Sequence, residues 1–312
     1  MPLSFSIPTE SVAEVSPPRF GGVEVNSNSI RAGIFTPGLQ ILGKIKISAK
    51  PERGTASTLQ RIARCLRYAA DEADLDIARI QSVAVGVSGQ IESQEGLVRH
   101  APELGWRDLP LRAELEQLLS IPVRVANVEN LSALAVHTME LRSAPGKLAV
   151  VFIRPCVSLA LLQSGQWLEL SELPIATAME EPEANLFRTL HHPDFVPFRS
   201  RDFRSAIRQG RPCAVEFLGR MAEAARELAV QTATDFQPDI VALAGNLAEE
   251  LSRDILHSFQ ESLRAACAGR PEPVVMISRL GNLSSLAGGA AFASQHRSVP
   301  PLAAISSPAI AK

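Results

Sequence analysis

The stretch GGVEVNSNSIRAGIFTPGLQILGKIKISAK, residues 21–50, holds three short β-rich runs separated by the turn signals N-S-N-S and T-P-G, the pattern of a β-meander. Next, Leu59, Ile62, Leu66, Ala69 and Ala73 recur at helical spacing, and SVAVGVSG at 82–89 reads as a buried strand ending in a glycine turn. A helix over about 110–119, a strand over 122–126 and a further helix complete a βββαβαβα order. The same order then returns. KLAVVFIRPCVSLALLQSGQWLEL at 147–170 holds three β-rich runs, and Phe217, Met221, Ala224, Leu228 and Thr232 share one helical stripe. The strand DIVALAG, a helix over 247–268, the strand PVVMIS and a helix over 284–295 follow. A repeat at the level of element order constrains the whole architecture: two α/β domains facing each other across a cleft.

Composition agrees with an ordinary globular protein, with 46% hydrophobic and 21% charged residues among 312. That length exceeds what one core usually fills, so two domains are expected, over 21–145 and 146–295. The proline- and serine-rich segments 1–20 and 296–312 lack periodicity and are expected to be disordered. A formal net charge of -2 argues against a dedicated nucleic-acid surface. No run reaches the ~18 apolar residues of a membrane span and no signal-peptide pattern opens the chain, so a cytoplasmic location is expected. Cys65, Cys156, Cys213 and Cys267 are scattered, which fits neither a disulfide framework nor a cysteine metal site.

Three segments carry a family resemblance. VAVGVSGQIESQEGLVRHAPELGWRDLPLRAELEQLLSIPVRVANVENLSALA at 83–135 resembles the central stretch of the ROK family of repressors, open reading frames and sugar kinases. QPDIVALAGNLAEE at 237–250 and LGNLSSLAGGAAFA at 280–293 resemble the same family's nucleotide-side segments. The resemblance implies an actin-like ATPase (ribonuclease H-like) fold and a sugar kinase using ATP and magnesium.

The residues that would do that chemistry are altered. The family's D-x-G-G-T phosphate hairpin is replaced by Glu24, Val25, Asn26, Ser27 and Asn28, so side chains fill space that glycine leaves for phosphate oxygens. The second glycine loop is replaced by Arg154–Ala160, where Pro155 removes an amide donor. In the turn aligned with E-N-D-A-N, Asn127 and Asn130 match, but Val128 stands where the family's general base is an Asp. Glu129 is one residue away, and one helical step turns a side chain by about 100°, off the line of attack. Glu103 replaces an Asn in the A-P-N-L-G-W segment. Ala244, Gly245 and Asn246 stand for three glycines, with Asn246 suited to capping a helix over 247–268. His191 and His192 have no cysteines near them and no third ligand at metal spacing, so no zinc is expected.

The resulting expectation is a ROK-fold sugar-kinase homologue without phosphotransfer, acting as a binding, regulatory or interaction protein, with no cofactor and no metal. Sugar-pocket candidates are Glu103 and Asn127, and nucleotide-cleft candidates are Asn26, Ser27, Asn28, Gly245 and Asn246. The partners left open are a sugar, a protein or a second copy of the chain, without direct nucleic acid or membrane. The alternative is an ATP-dependent hexose or amino-sugar kinase working through Glu24 or Glu129.

Overall fold

The computed structural model describes residues 17–141, 145–154, 157–168 and 200–295. The first repeat comprises β1 (Arg19–Val25), β2 (Ser29–Phe35), β3 (Ile41–Ser48), α1 (Thr55–Glu72), β4 (Ile80–Val87), α2 (Leu111–Leu119), β8 (Val123–Asn127) and α3 (Val128–Ala135). Between β4 and α2, the short strands β5 (Gln90–Glu92), β6 (Leu97–Ala101) and β7 (Trp106–Leu109) form a separate three-stranded antiparallel sheet. That sheet was not foreseen, because its strands are too short to show alternation.

The second repeat comprises β9 (Lys147–Ile153), β10 (Val157–Gln163), β11 (Gln166–Trp167), α4 (Ser200–Arg208), α5 (Pro212–Asp235), β12 (Ile240–Ala244), α6 (Arg253–Ala266), β13 (Val274–Ile277) and α7 (Ser284–Ser294). The two main sheets have the orders β3-β2-β1-β4-β8 and β11-β10-β9-β12-β13. In each, three antiparallel strands continue into two parallel ones, so the repeat in element order is a repeat in topology. This is the actin-like ATPase fold.

Strand alternation sorts the core into three layers. Val123 and Val125 of β8 join a cluster with α1 and α2, and Ala149, Val151 and Ile153 of β9 join one with α5 and α6. The alternate residues Leu148, Val150 and Phe152 of β9 share a third cluster with Ala84 and Ala126 of the first sheet and with residues of α3 and α7. The central layer is therefore a helix pair held between two sheets.

Sequence order puts α7 in the second repeat, yet its backbone is bonded to the first sheet. Ser82 Oγ donates to Ala293 O at 2.9 Å, and Arg124 Nη1 donates to Phe292 O at 2.6 Å, satisfying carbonyls of the helix's last turn. Arg124 also lies over the Phe292 ring, 3.3 Å from its centroid; burial and the neighbouring Arg112 lower its pKa to about 10. Two glycines allow this close packing. A Cβ on Gly22 of β1 would stand 1.9 Å from Leu286 O, and one on Gly288 would stand 1.7 Å from Leu131 O of α3.

Candidate functional site

The turn after β1 is built around one side chain. Asn26 Oδ1 accepts from the backbone amides of Asn28 (3.1 Å) and Ser29 (2.9 Å), and Asn26 N donates to Ser29 O at 3.0 Å. An Asx turn of this kind explains why N-S-N-S folds locally without a ligand. Its consequence is chemical: amides that a glycine hairpin offers to phosphate are already bonded to a carboxamide oxygen. Ser27 Oγ, at the tip, donates to Glu103 Oε2 at 3.2 Å, which brings the hairpin and the A-P-E-L-G-W segment together. Glu103 is exposed in the single turn Pro102–Leu104.

Glu24 is 8% exposed and engaged on several sides. Arg31 Nη2 donates to its Oε2 at 2.5 Å, Asn26 Nδ2 donates to Oε1 at 3.3 Å, and Ser285 of α7 donates to Oε2. Arg31 also donates through Nη1 to Asn282 O at 3.0 Å, so one carboxylate and one guanidinium tie the first hairpin to the start of α7. Burial opposes the charge on Glu24, but the Arg31 charge, the hydrogen bonds from Arg31 and Ser285 and the nearby Arg154 outweigh it. The Glu24 pKa therefore lies below the ordinary carboxylate value.

A group whose pKa is lowered by folding adds stability above its unfolded pKa and loses it as pH falls through the folded one. Glu24→Gln should consequently flatten the decline in stability between about pH 5 and pH 3. Urea unfolding of wild type and variant at both ends of that window checks this; parallel curves would remove Glu24 as a contributor.

At the second turn, Asn127 is the residue before α3 and acts as its cap. Its Oδ1 accepts from Glu129 N at 2.7 Å while its Nδ2 donates to Gly89 O at 3.0 Å, which joins β8 to the turn after β4. The carboxamide proposed for sugar contact is thus bonded at both ends within the protein. Asn127→Ala should cost about 1 kcal/mol through loss of the cap, measured by chemical unfolding. A change under a few tenths would mean that α3 does not need it.

Val128 opens α3 and is buried, at 3% exposure. Glu129 does not stand free either. Its Oε1 accepts from Arg154 Nη1 at 2.8 Å, and the Arg154 guanidinium lies 4.7 Å from the Phe152 ring centroid. Arg154 follows β9, so this pair links the second sheet to the amino end of α3. The two carboxylates between which the active-enzyme alternative chose, Glu24 and Glu129, are each ion-paired to arginine.

The remaining candidates lie at the end of β12. Gly245 has φ +98° and passes so close to Ile153 that a Cβ would stand 2.5 Å from its carbonyl oxygen. Leu247 N donates to Ile153 O at 3.1 Å. Asn246 does not cap a helix over 247–268: residues Ala248–Glu250 form a single 3-10 turn, and α6 begins at Arg253 with Ser252 Oγ accepting from Ile255 N at 3.3 Å. The sequence Ser-Arg-Asp-Ile, a hydroxyl followed by polar and then apolar residues, was the better capping signal. Pro155, His191 and His192 lie outside the described residues, and no cluster of three or more metal-ligating side chains occurs among the described ones.

The fold family's nucleotide and magnesium do not fit this arrangement. The first hairpin's amides are consumed by Asn26, and the carboxylate beside them is neutralised by Arg31. Sequence reading missed Arg31, Asn282 and Ser285. Arg31 was accessible through hairpin arithmetic, since a turn at 26–28 sets Glu24 directly across from Arg31. Ser285, 261 residues away from Glu24, carried no local signal.

Comparison with known proteins agrees with this topology. Residues 20–155 match the family model described as ROK family. Over that segment the chain is similar to the ROK family. A glucokinase of Halalkalibacterium halodurans is 31% identical over 113 residues, covering 36% of this chain and 34% of that protein. The match thus spans about a third of the length of the curated relative. A ROK family glucokinase from Streptomyces griseus, solved with glucose and AMPPNP, superposes with a TM-score of 0.70 at 20% identity, covering 89% of this chain and 100% of that one. The ROK hexokinase from Thermus thermophilus gives 0.68 at 22% identity, covering 88% and 98%. The ROK sugar-kinase fold therefore extends through the second repeat, where the sequence match has ended. No helix among the described residues is long and apolar enough to cross a membrane.

Proposed function

We propose that this protein is a sugar-kinase-like ROK protein that does not transfer phosphate and acts by binding. The observation that carries this reading is the Asn26 carboxamide bonded to the amides of Asn28 and Ser29, an internal substitute for a phosphate oxygen. Supporting it, the place of the general base is held by the packed Val128, which cannot accept a proton. Phosphoryl transfer depends on positioning and charge stabilisation, and both are withdrawn when the donors and carboxylates are satisfied within the protein. The binding surface on this reading is the rim formed by Glu103 and Ser27, and a small sugar-like ligand is the class to screen first.

The test is thermal unfolding with sugars, and with millimolar ATP in the presence and absence of magnesium. A ligand at 100 times its dissociation constant adds about 2.7 kcal/mol. A sugar-dependent shift without a nucleotide-dependent one is expected. A magnesium-dependent shift with ATP would overturn the reading.

A further inference from the structure

The basic charge of this chain is gathered at one edge of the first sheet. Residues 44–67 carry seven cations (Lys44, Lys46, Lys50, Arg53, Arg61, Arg64 and Arg67) and one acid, Glu52, so this segment holds +6 in a chain of net -2. β3 is the outer strand of its sheet and is eight residues long. Gly43, Ile45 and Ile47 face α1; a Cβ on Gly43 would meet Ala69 O at 2.4 Å, and both isoleucines pack against the α1 core. Lys44, Lys46 and Ser48 lie on the opposite face and are exposed.

The direction of the backbone follows from one hydrogen bond. Ala49 N donates to Asn28 O, so odd-numbered residues turn their peptide groups toward β2, and Lys44, Lys46 and Ser48 turn theirs outward. Arg61 Nε already donates to Ser48 O at 2.8 Å, over the end of that edge. Among the described residues, Lys44, Lys46 and Arg64 make no ion pair.

We propose that the β3 edge docks an extended acidic segment of a partner protein by strand addition, with acidic residues at alternate positions opposite Lys44 and Lys46 and apolar residues between them. Edge lysines ordinarily guard against unwanted pairing. They repel basic strands and must be desolvated to admit neutral ones, and an acidic strand converts the same charges into selection. A second copy of this chain does not fit, because a two-fold pairing of β3 with itself sets lysine against lysine. Nucleic acid does not match the alternating outward amides and carbonyls of a strand edge, and Asp71 and Glu72 at the far end of α1 oppose a long polyanion. Tyr68, 46% exposed, and Arg64 stand on the outer face of α1.

The probe is a blocked heptapeptide, Thr-Glu-Val-Glu-Val-Glu-Thr, titrated into the full chain by calorimetry, with amide hydrogen exchange as the second readout. Saturable binding that weakens with salt and slows exchange at Lys44 and Lys46 is expected. The Lys44→Glu/Lys46→Glu variant, altered only at exposed positions, should bind at least about tenfold more weakly and should take the Lys-for-Glu peptide instead. Three results would each overturn the proposal: no saturable binding, equal binding of a peptide with a central proline, or tighter binding of oligothymidylate with no protection of β3.

Discussion

Gly288→Ala should lower the unfolding free energy by about 3 kcal/mol, near the upper end of what overpacking costs. The methyl group would be placed 1.7 Å from the carbonyl oxygen of Leu131, and backbone cannot swing aside as a long side chain can. Relief requires α7 to lift from α3, which also strains the contact of Gly289 with Gly22 Cα, where a Cβ would stand 3.0 Å away. A loss of that size lowers the melting temperature by roughly 5 °C in a chain of 312 residues. Gly219 of α5 is the control, because nothing lies within 4 Å of its would-be Cβ. Gly219→Ala should be neutral or stabilising by up to about 1 kcal/mol, from helix propensity alone. Equal effects of the two substitutions would mean that helix propensity, not close approach, governs both.

The second large effect concerns catalysis. Sugar-dependent ADP release should fall below about 10⁻⁴ s⁻¹, against ~1–100 s⁻¹ for a typical kinase. A missing general base alone accounts for about 10²–10⁴. The Asn26-bonded amides and the arginine-bound carboxylates remove charge stabilisation independently, so Val128→Asp should not restore turnover. That variant is also expected to lose about 2–4 kcal/mol, since a carboxylate replaces a packed side chain at 3% exposure. A coupled assay across glucose, mannose, fructose, N-acetylglucosamine and N-acetylmannosamine decides it. Turnover near ~1 s⁻¹ by the wild type would sink the non-catalytic reading and make Glu129→Gln the next variant.

The repeated order of elements was legible because each strand has its own apolar run and each helix its own 3.6-residue stripe. The allegiance of α7 was not. SSLAGGAAFAS is small and apolar around its whole circumference, so no stripe tells which sheet it covers; the only trace was the glycine pair, whose meaning depends on Gly22 and Leu131 elsewhere. At the site, departures from the family's motif could be read directly, since a valine aligned with that motif's Asp is visible in the letters. What replaced them could not. Asn127 reads equally well as a sugar contact or a helix cap, and only the paired distances to Glu129 N and Gly89 O separate the two. Glu24 likewise looked like a spare carboxylate until Arg31 and Ser285 were found against it.

The crossing of α7 to the first sheet has a consequence for biosynthesis. When the ribosome has released the first 145 or so residues, every strand of the leading sheet exists, but the helix that covers its inner face, seals Ser82 and Arg124 and bonds Glu24 has yet to be made. Domains generally fold as they emerge, amino end first, at about 5–20 residues per second. Here the leading half must wait on the order of ten seconds or more with Ala84, Ala126 and Phe35 uncovered. During that interval the inner face of the leading sheet lacks its covering helix, and a premature stop before residue 284 leaves neither half with a complete interior.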